Sequence, residues 1–140
     1  MRANELRIGN WVQYDGIPYQ IESLTKVDAV VHSIDIFDFR NRSLENAQPI
    51  ELTEEVLLKI GFKKNKHNDW WEYYPSREDE VSILMRDKYT TIEYANLFHC
   101  PEDVAEVNYD SRLEFPRRIY LHELQNAYYC LTNNELEIEL

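Results

Sequence analysis

The sequence predicts an α+β fold: a strongly bent antiparallel sheet with a short helix in the middle of the chain and a longer helix near its end. Three observations predict it, namely a hairpin signal at Asp15-Gly16, a series of strand-like segments up to Tyr94, and a helical apolar stripe beyond Ile119. The 140 residues are 44% hydrophobic, which is enough to bury one cooperative core. Residues 1–140 are therefore predicted to form a single domain.

The first fifty residues are predicted to form a small curled sheet. Segments 6–14 and 17–24 flank Asp15-Gly16, a dipeptide whose positive backbone torsions suit a two-residue hairpin turn. Segments 27–34 and 36–39 add a third and a fourth strand. An SH3-like barrel is one architecture that such a sheet can adopt.

A short helix and a meander follow. Thr53 is a helix N-cap with two glutamates after it, and Gly61 is a C-terminal stop, so residues 54–60 are predicted to be helical. Four strand-like segments then alternate with polar turns, which predicts an antiparallel meander. They are residues 62–64, 70–74, 81–86 and 89–94.

Residues 95–117 are interrupted by Pro101 and Pro116 and are rich in acids. They predict an acidic loop with a short helical turn near residues 102–107.

The end of the chain is the most regularly patterned part. Leu121, Leu124, Tyr128 and Leu131 recur at the spacing of one helical face, so a helix is predicted over about residues 118–131 with this stripe buried. Glu123 falls on the opposite side of that helix. Apolar and acidic residues then alternate over 135–140, as in a half-buried final strand.

Three segments carry a resemblance to a family of small proteins from phages and mobile elements of Bacteroidota. They are residues 4–12, residues 52–62 (LTEEVLLKIGF), and residues 121–136, which include LHELQNAYY. The resemblance implies a phage or mobile-element origin and supplies no activity, cofactor or catalytic residue.

Charge and cysteine usage favour a cytoplasmic binding protein. The net charge is −11, and the last forty residues hold three basic against nine acidic residues. A surface of this sign opposes binding to a nucleic-acid backbone and favours a basic partner. The longest apolar runs are too short to span a membrane, and no secretory apolar region begins the chain. Cys100 and Cys130 are expected to be neutral thiols, buried or inert, rather than a disulfide.

No motif for catalysis, phosphate binding or metal binding emerges. His32-Ser33 and His99-Cys100 are sequence neighbours, whose side chains point apart on a strand. His122 and Cys130 are eight residues apart on one helix, about 12 Å along its axis, which is too far to share one ion. The protein is therefore predicted not to be an enzyme and to need no cofactor.

The preferred hypothesis is a non-enzymatic inhibitor or modulator of a host nucleic-acid-handling defence complex, similar to an anti-CRISPR protein. Carboxylates can imitate phosphates and occupy a basic groove of the host protein. The predicted partner-binding residues are Glu102, Asp103, Glu106, Asp110 and Glu114.

Two alternatives remain open. The hairpin between positions 63 and 74 combines cations with aromatic rings, as single-stranded nucleic-acid platforms do. Its predicted binding residues are Lys63, Lys64, Lys66, Trp70, Trp71 and Tyr73. The other alternative is a virion or assembly component.

Overall fold

The computed structural model describes the backbone of residues 1–33, 38–99 and 105–140, and the side chains of 1–31, 41–95 and 111–140. It contains two antiparallel sheets and two α-helices, so the predicted α+β class with a bent antiparallel sheet is confirmed. Within the described residues, neither helix combines the length and the apolar character that crossing a membrane requires.

The first sheet is a four-stranded meander. Its strands are β1 (Trp11–Tyr14), β2 (Ile17–Leu24), β3 (Asp28–Ser33) and β4 (Asp38–Ser43). Asp15 and Gly16 have φ angles of 51° and 78°, so the tight turn predicted between β1 and β2 is present. The prediction that this first strand begins at residue 6 is wrong. A 3-10 turn at Ala3–Glu5 and a turn at residues 8–9 precede it, and the strand begins at Trp11.

After β4 the chain returns to the free edge of β1. A 3-10 turn at Leu44–Asn46 redirects it, and Gln48 then forms an isolated antiparallel bridge with Gln13. This return curls the sheet into a half-barrel. The half-barrel encloses its own buried cluster, which comprises Leu6, Val12, Tyr14, Tyr19, Ile21, Ala29, Val31, Leu44 and Ala47.

The middle helix, α1 (Glu54–Ile60), has the predicted bounds. Thr53 accepts a hydrogen bond from the Val56 N–H at 3.2 Å, and Gly61 ends the helix with a φ angle of 111°. The second sheet follows as the predicted meander, in the order β5-β6-β7-β8-β9. Its strands are β5 (Lys63–Lys64), β6 (Trp71–Tyr73), β7 (Asp79–Met85), β8 (Thr90–His99) and β9 (Ala105–Phe115).

The predicted acidic loop over residues 95–117 is wrong. Strand β8 continues to His99, and the eleven residues Ala105–Phe115 form β9, so most of the segment is a long β-hairpin. The helical turn proposed near residues 102–107 is contradicted at 105–107, and its remaining part lies outside the described residues. The polar side chains of β9 concealed its strand periodicity, because an edge strand needs only a weak apolar alternation.

The closing helix, α2 (Leu121–Thr132), begins three residues later than predicted and ends in a left-handed Asn133. The larger buried cluster, which we call the main core, joins α1, α2 and the second sheet. Leu121, Leu124 and Tyr128 are buried in it, as predicted, and Leu131 packs at its margin. Its other buried members are Trp11, Leu52, Leu57, Ile60, Phe62, Trp71, Val81, Ile83, Ile92, Ile119, Ala127, Leu136 and Ile138. The predicted final strand is not formed. Residues 135–140 keep the predicted alternation of buried apolar and exposed acidic side chains but pair with no strand in the described part of the chain.

Candidate partner-binding surface

The two faces of the five-stranded sheet differ sharply in chemistry. On one face, Trp71, Val81, Ile83 and Ile92 pack with α2 in the main core. Because successive side chains of a strand point to opposite faces, the intervening residues face away from α2. Four of these are acidic, and they define what we call the acidic face: Glu72, Glu80, Glu93 and Glu114.

The strand register aligns the acidic face across the sheet. Glu72 of β6 lies opposite Ser82 of β7, which lies opposite Glu93 of β8, which in turn lies opposite Arg112 of β9. Glu72 and Glu93 are thus two strand spacings apart, roughly 10 Å between backbones. The row therefore presents carboxylates at an interval fixed by the hydrogen-bonded sheet.

Hydrogen bonds hold two of these carboxylates in place. Glu72 accepts from the Asn65 amide at 2.6 Å and from the Tyr74 hydroxyl at 3.0 Å. Glu80 accepts from the Ser82 hydroxyl at 2.8 Å. Fixed acceptors lose little side-chain freedom when a partner binds, which favours affinity.

Arg112 is the cation at the β9 end of the row. Its Nε lies 3.4 Å from Glu93 and 3.2 Å from Glu114, so it neutralises one of the two charges. The Glu93 side chain is only 16% exposed, whereas that of Glu114 is 68% exposed. Lys63 of β5 lies opposite Glu72 on the same face. With four glutamates, one arginine and one lysine, the acidic face has a net charge of about −2 at neutral pH.

A shallow depression of about 510 Å³ lies on this face. It lies above the row of Glu72, Ser82, Glu93 and Arg112, and Trp70 supplies an aromatic wall. Its lining residues are Asn68, Trp70, Glu72, Glu80, Ser82, Glu93, Ser111 and Arg112. A half-buried tryptophan beside carboxylates suits the alkyl stem and cationic end of a lysine or arginine side chain.

Glu114 is the one of the five acidic residues predicted from the sequence whose side chain the structure describes, and it lies on the acidic face. Glu102 and Asp103 lie outside the described residues. Glu106 and Asp110 are placed by backbone alone: Glu106 pairs with Phe98 in β9, and Asp110 is the extra residue where the register shifts. The described carboxylates are therefore gathered by the sheet rather than by a loop.

The residues predicted to bind nucleic acid in the hairpin between positions 63 and 74 lie in different environments. Trp71 is only 5% exposed and belongs to the main core, and the Tyr73 ring stacks on Phe62 at 5.2 Å. Trp71 is therefore not an exposed stacking ring, and Phe62 covers one face of the Tyr73 ring. Lys63 and Lys66 are exposed.

The remaining two hairpin residues have other neighbours. Lys64 lies 3.8 Å from Glu54 and 5.8 Å from the centre of the Trp71 ring. Trp70 turns to the acidic face, where it lines the depression. The hairpin therefore offers cations without the row of exposed rings that single-stranded nucleic acid uses.

The two histidine and cysteine positions on α2 are in different environments. Cys130 is exposed and free, and Cys100 lies outside the described residues. His122 is buried with its Nδ1 atom unpartnered. Burial lowers the pKa of His122 below its ordinary value. Among residues 1–31, 41–95 and 111–140, no three possible metal ligands are grouped together.

Strand alternation was the signal that would have found Glu72, Glu80, Glu93 and Arg112. In β6 and β8, a glutamate lies between two residues of the main core or its margin, and in β7 Glu80 directly precedes the buried Val81. Comparisons with protein-family models, with curated proteins and with solved structures gave no match for this chain.

Proposed function

We propose that this protein acts by binding a basic protein through its acidic face, without catalysing a reaction. In its sharpest form, the partner belongs to a host nucleic-acid-handling defence complex, and the protein inhibits or modulates that complex as an anti-CRISPR protein would. This form rests on the resemblance to phage and mobile-element proteins and places the protein in the host cytoplasm.

One observation carries the proposal: neighbouring strands β6, β7 and β8 each present a glutamate on the face of the sheet that points away from α2. A groove that normally holds a phosphate backbone is lined by arginine and lysine, which form charge-assisted hydrogen bonds with carboxylates. Carboxylates fixed on a sheet can occupy such a groove with little ordering cost. The net charge of −11 steers a basic partner toward the protein and accelerates encounter.

Direct nucleic-acid binding is the weaker proposal. Trp71 is buried and Phe62 covers one face of the Tyr73 ring, so the three predicted aromatic residues do not form one exposed row. Lys64 has Glu54 as a neighbour, so part of the local positive charge is neutralised. The overall acidity also opposes counterion release from a phosphate backbone.

Binding assays with fluorescent ligands test the proposal. A labelled arginine- and lysine-rich peptide and labelled single-stranded DNA and RNA are titrated with the protein at low salt. We expect saturable binding of the peptide that weakens as salt rises, and no comparable binding of either nucleic acid. Nucleic-acid binding that depends on Lys63 and Lys66, with no peptide binding, would contradict the proposal.

A pair of charge-matched variants localises the contact. Glu80→Lys with Glu114→Lys reverses two positions of the acidic face, and Glu45→Lys with Glu139→Lys makes the same change in charge at exposed positions elsewhere. Only the first pair should abolish peptide binding. Equal losses from both pairs would show that net charge, rather than the acidic face, governs binding.

A further inference from the structure

A second cavity lies on the opposite side of the five-stranded sheet, at the C-terminal end of α2. Its volume is about 330 Å³. The β6–β7 loop, strand β8, the last turn of α2 and the segment after it all contribute to its wall. The lining residues are Tyr73, Pro75, Ser76, Asp79, Tyr94, Tyr128, Thr132, Asn134, Glu135 and Glu137.

Three tyrosine rings form the aromatic part of this cavity. Tyr73 stacks on Phe62 and meets Tyr128 edge to face, with ring centres 6.1 Å apart, so both rings are fixed by core packing. Burial raises the pKa of Tyr128 to about 12, and its hydroxyl therefore stays neutral at physiological pH. Neutral phenol rings have electron-rich faces that attract cations.

Three carboxylates complete the lining. Asp79 accepts hydrogen bonds from the Tyr94 hydroxyl at 2.6 Å and from the Ser76 hydroxyl at 2.8 Å, which fixes both of its oxygens. Glu135 forms an ion pair with Arg7 at 2.9 Å, and Glu137 is exposed at the rim. The cavity lining itself includes no lysine, arginine or histidine.

We infer that this cavity binds an organic cation, namely the guanidinium or ammonium group at the end of a basic side chain or of a small amine. The rings attract the cation and cover its apolar stem, while Asp79 and Glu137 supply the opposite charge. An anionic ligand of the same shape would be repelled by the carboxylates, because no cationic side chain lines the cavity. A neutral ligand would lack the attraction between opposite charges. This site is separate from the acidic face and does not depend on the proposed function.

Binding of small model compounds to the wild-type chain tests the inference. N-acetyl-arginine methylamide and N-acetyl-lysine methylamide are titrated into the isotopically labelled protein, and NMR shifts of Tyr73, Tyr94 and Tyr128 report binding. The citrulline analogue is the neutral control, since it has nearly the shape of arginine without the charge. We expect the two cations to shift these rings and the citrulline compound to bind at least about tenfold more weakly. Equal binding of citrulline and arginine compounds would overturn the inference.

Two further variants separate a local carboxylate effect from general acidity. Asp79→Asn keeps the shape of the side chain and should weaken arginine binding at least about tenfold, because charged hydrogen bonds are stronger than neutral ones. Glu139→Gln removes the same charge outside the cavity and should leave binding unchanged. If Asp79→Asn lowers the melting temperature, Glu137→Gln at the rim replaces it and should still weaken binding. If Glu139→Gln weakened binding as much as the variants inside the cavity do, the inference would also be overturned.

A tetramethylammonium titration identifies the source of the recognised cation. Shifts of the same tyrosines would assign the site to quaternary or methylated ammonium groups, with the aromatic rings dominant. Shifts from the arginine compound alone would assign it to guanidinium groups, with Asp79 dominant. Charge reversal at Glu80 and Glu114 should not alter either titration, whatever it does to peptide binding.

Discussion

Gln125 in the closing helix α2 accepts a hydrogen bond from the backbone N–H of Trp11 at 2.9 Å. Its amide group also donates to the carbonyl of Gly9 at 3.0 Å, and the side chain is only 2% exposed. One glutamine thus satisfies two backbone groups just before and at the start of β1. It joins the half-barrel to the helix that packs on the second sheet.

Replacement of Gln125 by alanine should destabilise the protein strongly. The change leaves the buried Trp11 N–H without its partner, which costs about 1–3 kcal/mol. The Gly9 carbonyl loses one donor but keeps its hydrogen bond from the Gln20 amide at 3.1 Å. Urea unfolding monitored by tryptophan fluorescence measures the free energy of unfolding. Gln48→Ala, at an exposed glutamine, is the control and should change it little. Equal effects of the two changes would show that Gln125 is not a structural junction.

Leu124→Ala should cost on the order of 2–5 kcal/mol, because Leu124 is fully buried in the main core. Cys130→Ser, on the exposed side of the same helix, should be nearly silent. Thermal melts of the two variants give the comparison. A silent Leu124→Ala would contradict the helix packing described above.

Glu123 has a structural role that its predicted position opposite the buried stripe did not indicate. Its carboxylate accepts a hydrogen bond from the Tyr120 N–H at 2.8 Å, which caps the first turn of the helix. The same carboxylate also accepts from the Arg117 guanidinium. Burial opposes ionisation, but these hydrogen bonds outweigh it and keep the pKa of Glu123 below its ordinary value. The helical phase indicated exposure and took no account of the cap.

Glu123→Ala should therefore lower the stability of the protein by about 0.5–2 kcal/mol. Glu123→Gln should lose less, because a glutamine can still accept the backbone hydrogen bond. Chemical denaturation at neutral pH checks this order. Glu139→Ala, at an exposed terminal position, is the control, and a loss there as large as that of Glu123→Ala would argue against the cap.

His122 should make stability depend on pH. Its pKa is lowered in the folded state by burial, so the unfolded chain takes up its proton at a higher pH than the folded one. The neutral histidine is favourable above the unfolded pKa of about 6.5, and stability should fall as the pH drops below that value. Unfolding of the wild type and of His122→Gln is measured between pH 5 and 8. The free energy of unfolding should depend less steeply on pH in the variant than in the wild type. Equal pH dependence in the two proteins would contradict a desolvated His122.

The sequence predicted correctly those elements that depend on residues close together in the chain. The Asp15-Gly16 turn, the Thr53 cap and the stripe of Leu121, Leu124 and Tyr128 depend on neighbours within a few residues, and each is found as predicted. Strand β9 was missed because its composition is polar and because Pro101 and Pro116 suggested a loop, although β9 pairs with its chain neighbour β8 in a hairpin.

Gln125 of α2 shows a second reason why the sequence alone did not predict the whole structure. Gln125 lies four residues after Leu121 and three before Tyr128, so its position on the buried stripe could be read from the spacing. Its polar side chain nevertheless indicated a surface position, because the partner backbone of Trp11 is more than a hundred residues away. The acidic face was hidden for the same reason, since only the strand register brings Glu72 and Glu93 into one row.

The most direct test of the proposed function is quantitative capture of the partner from a nuclease-treated lysate of a Bacteroidota host. Immobilised wild type, the Glu80→Lys and Glu114→Lys variant and the charge-matched Glu45→Lys and Glu139→Lys variant are compared by mass spectrometry. The proposal predicts a basic nucleic-acid-handling protein that the wild type and the matched control retain equally and the acidic-face variant loses by at least about tenfold, a difference of 1.4 kcal/mol. A partner that all three retain to the same extent would contradict binding through the acidic face.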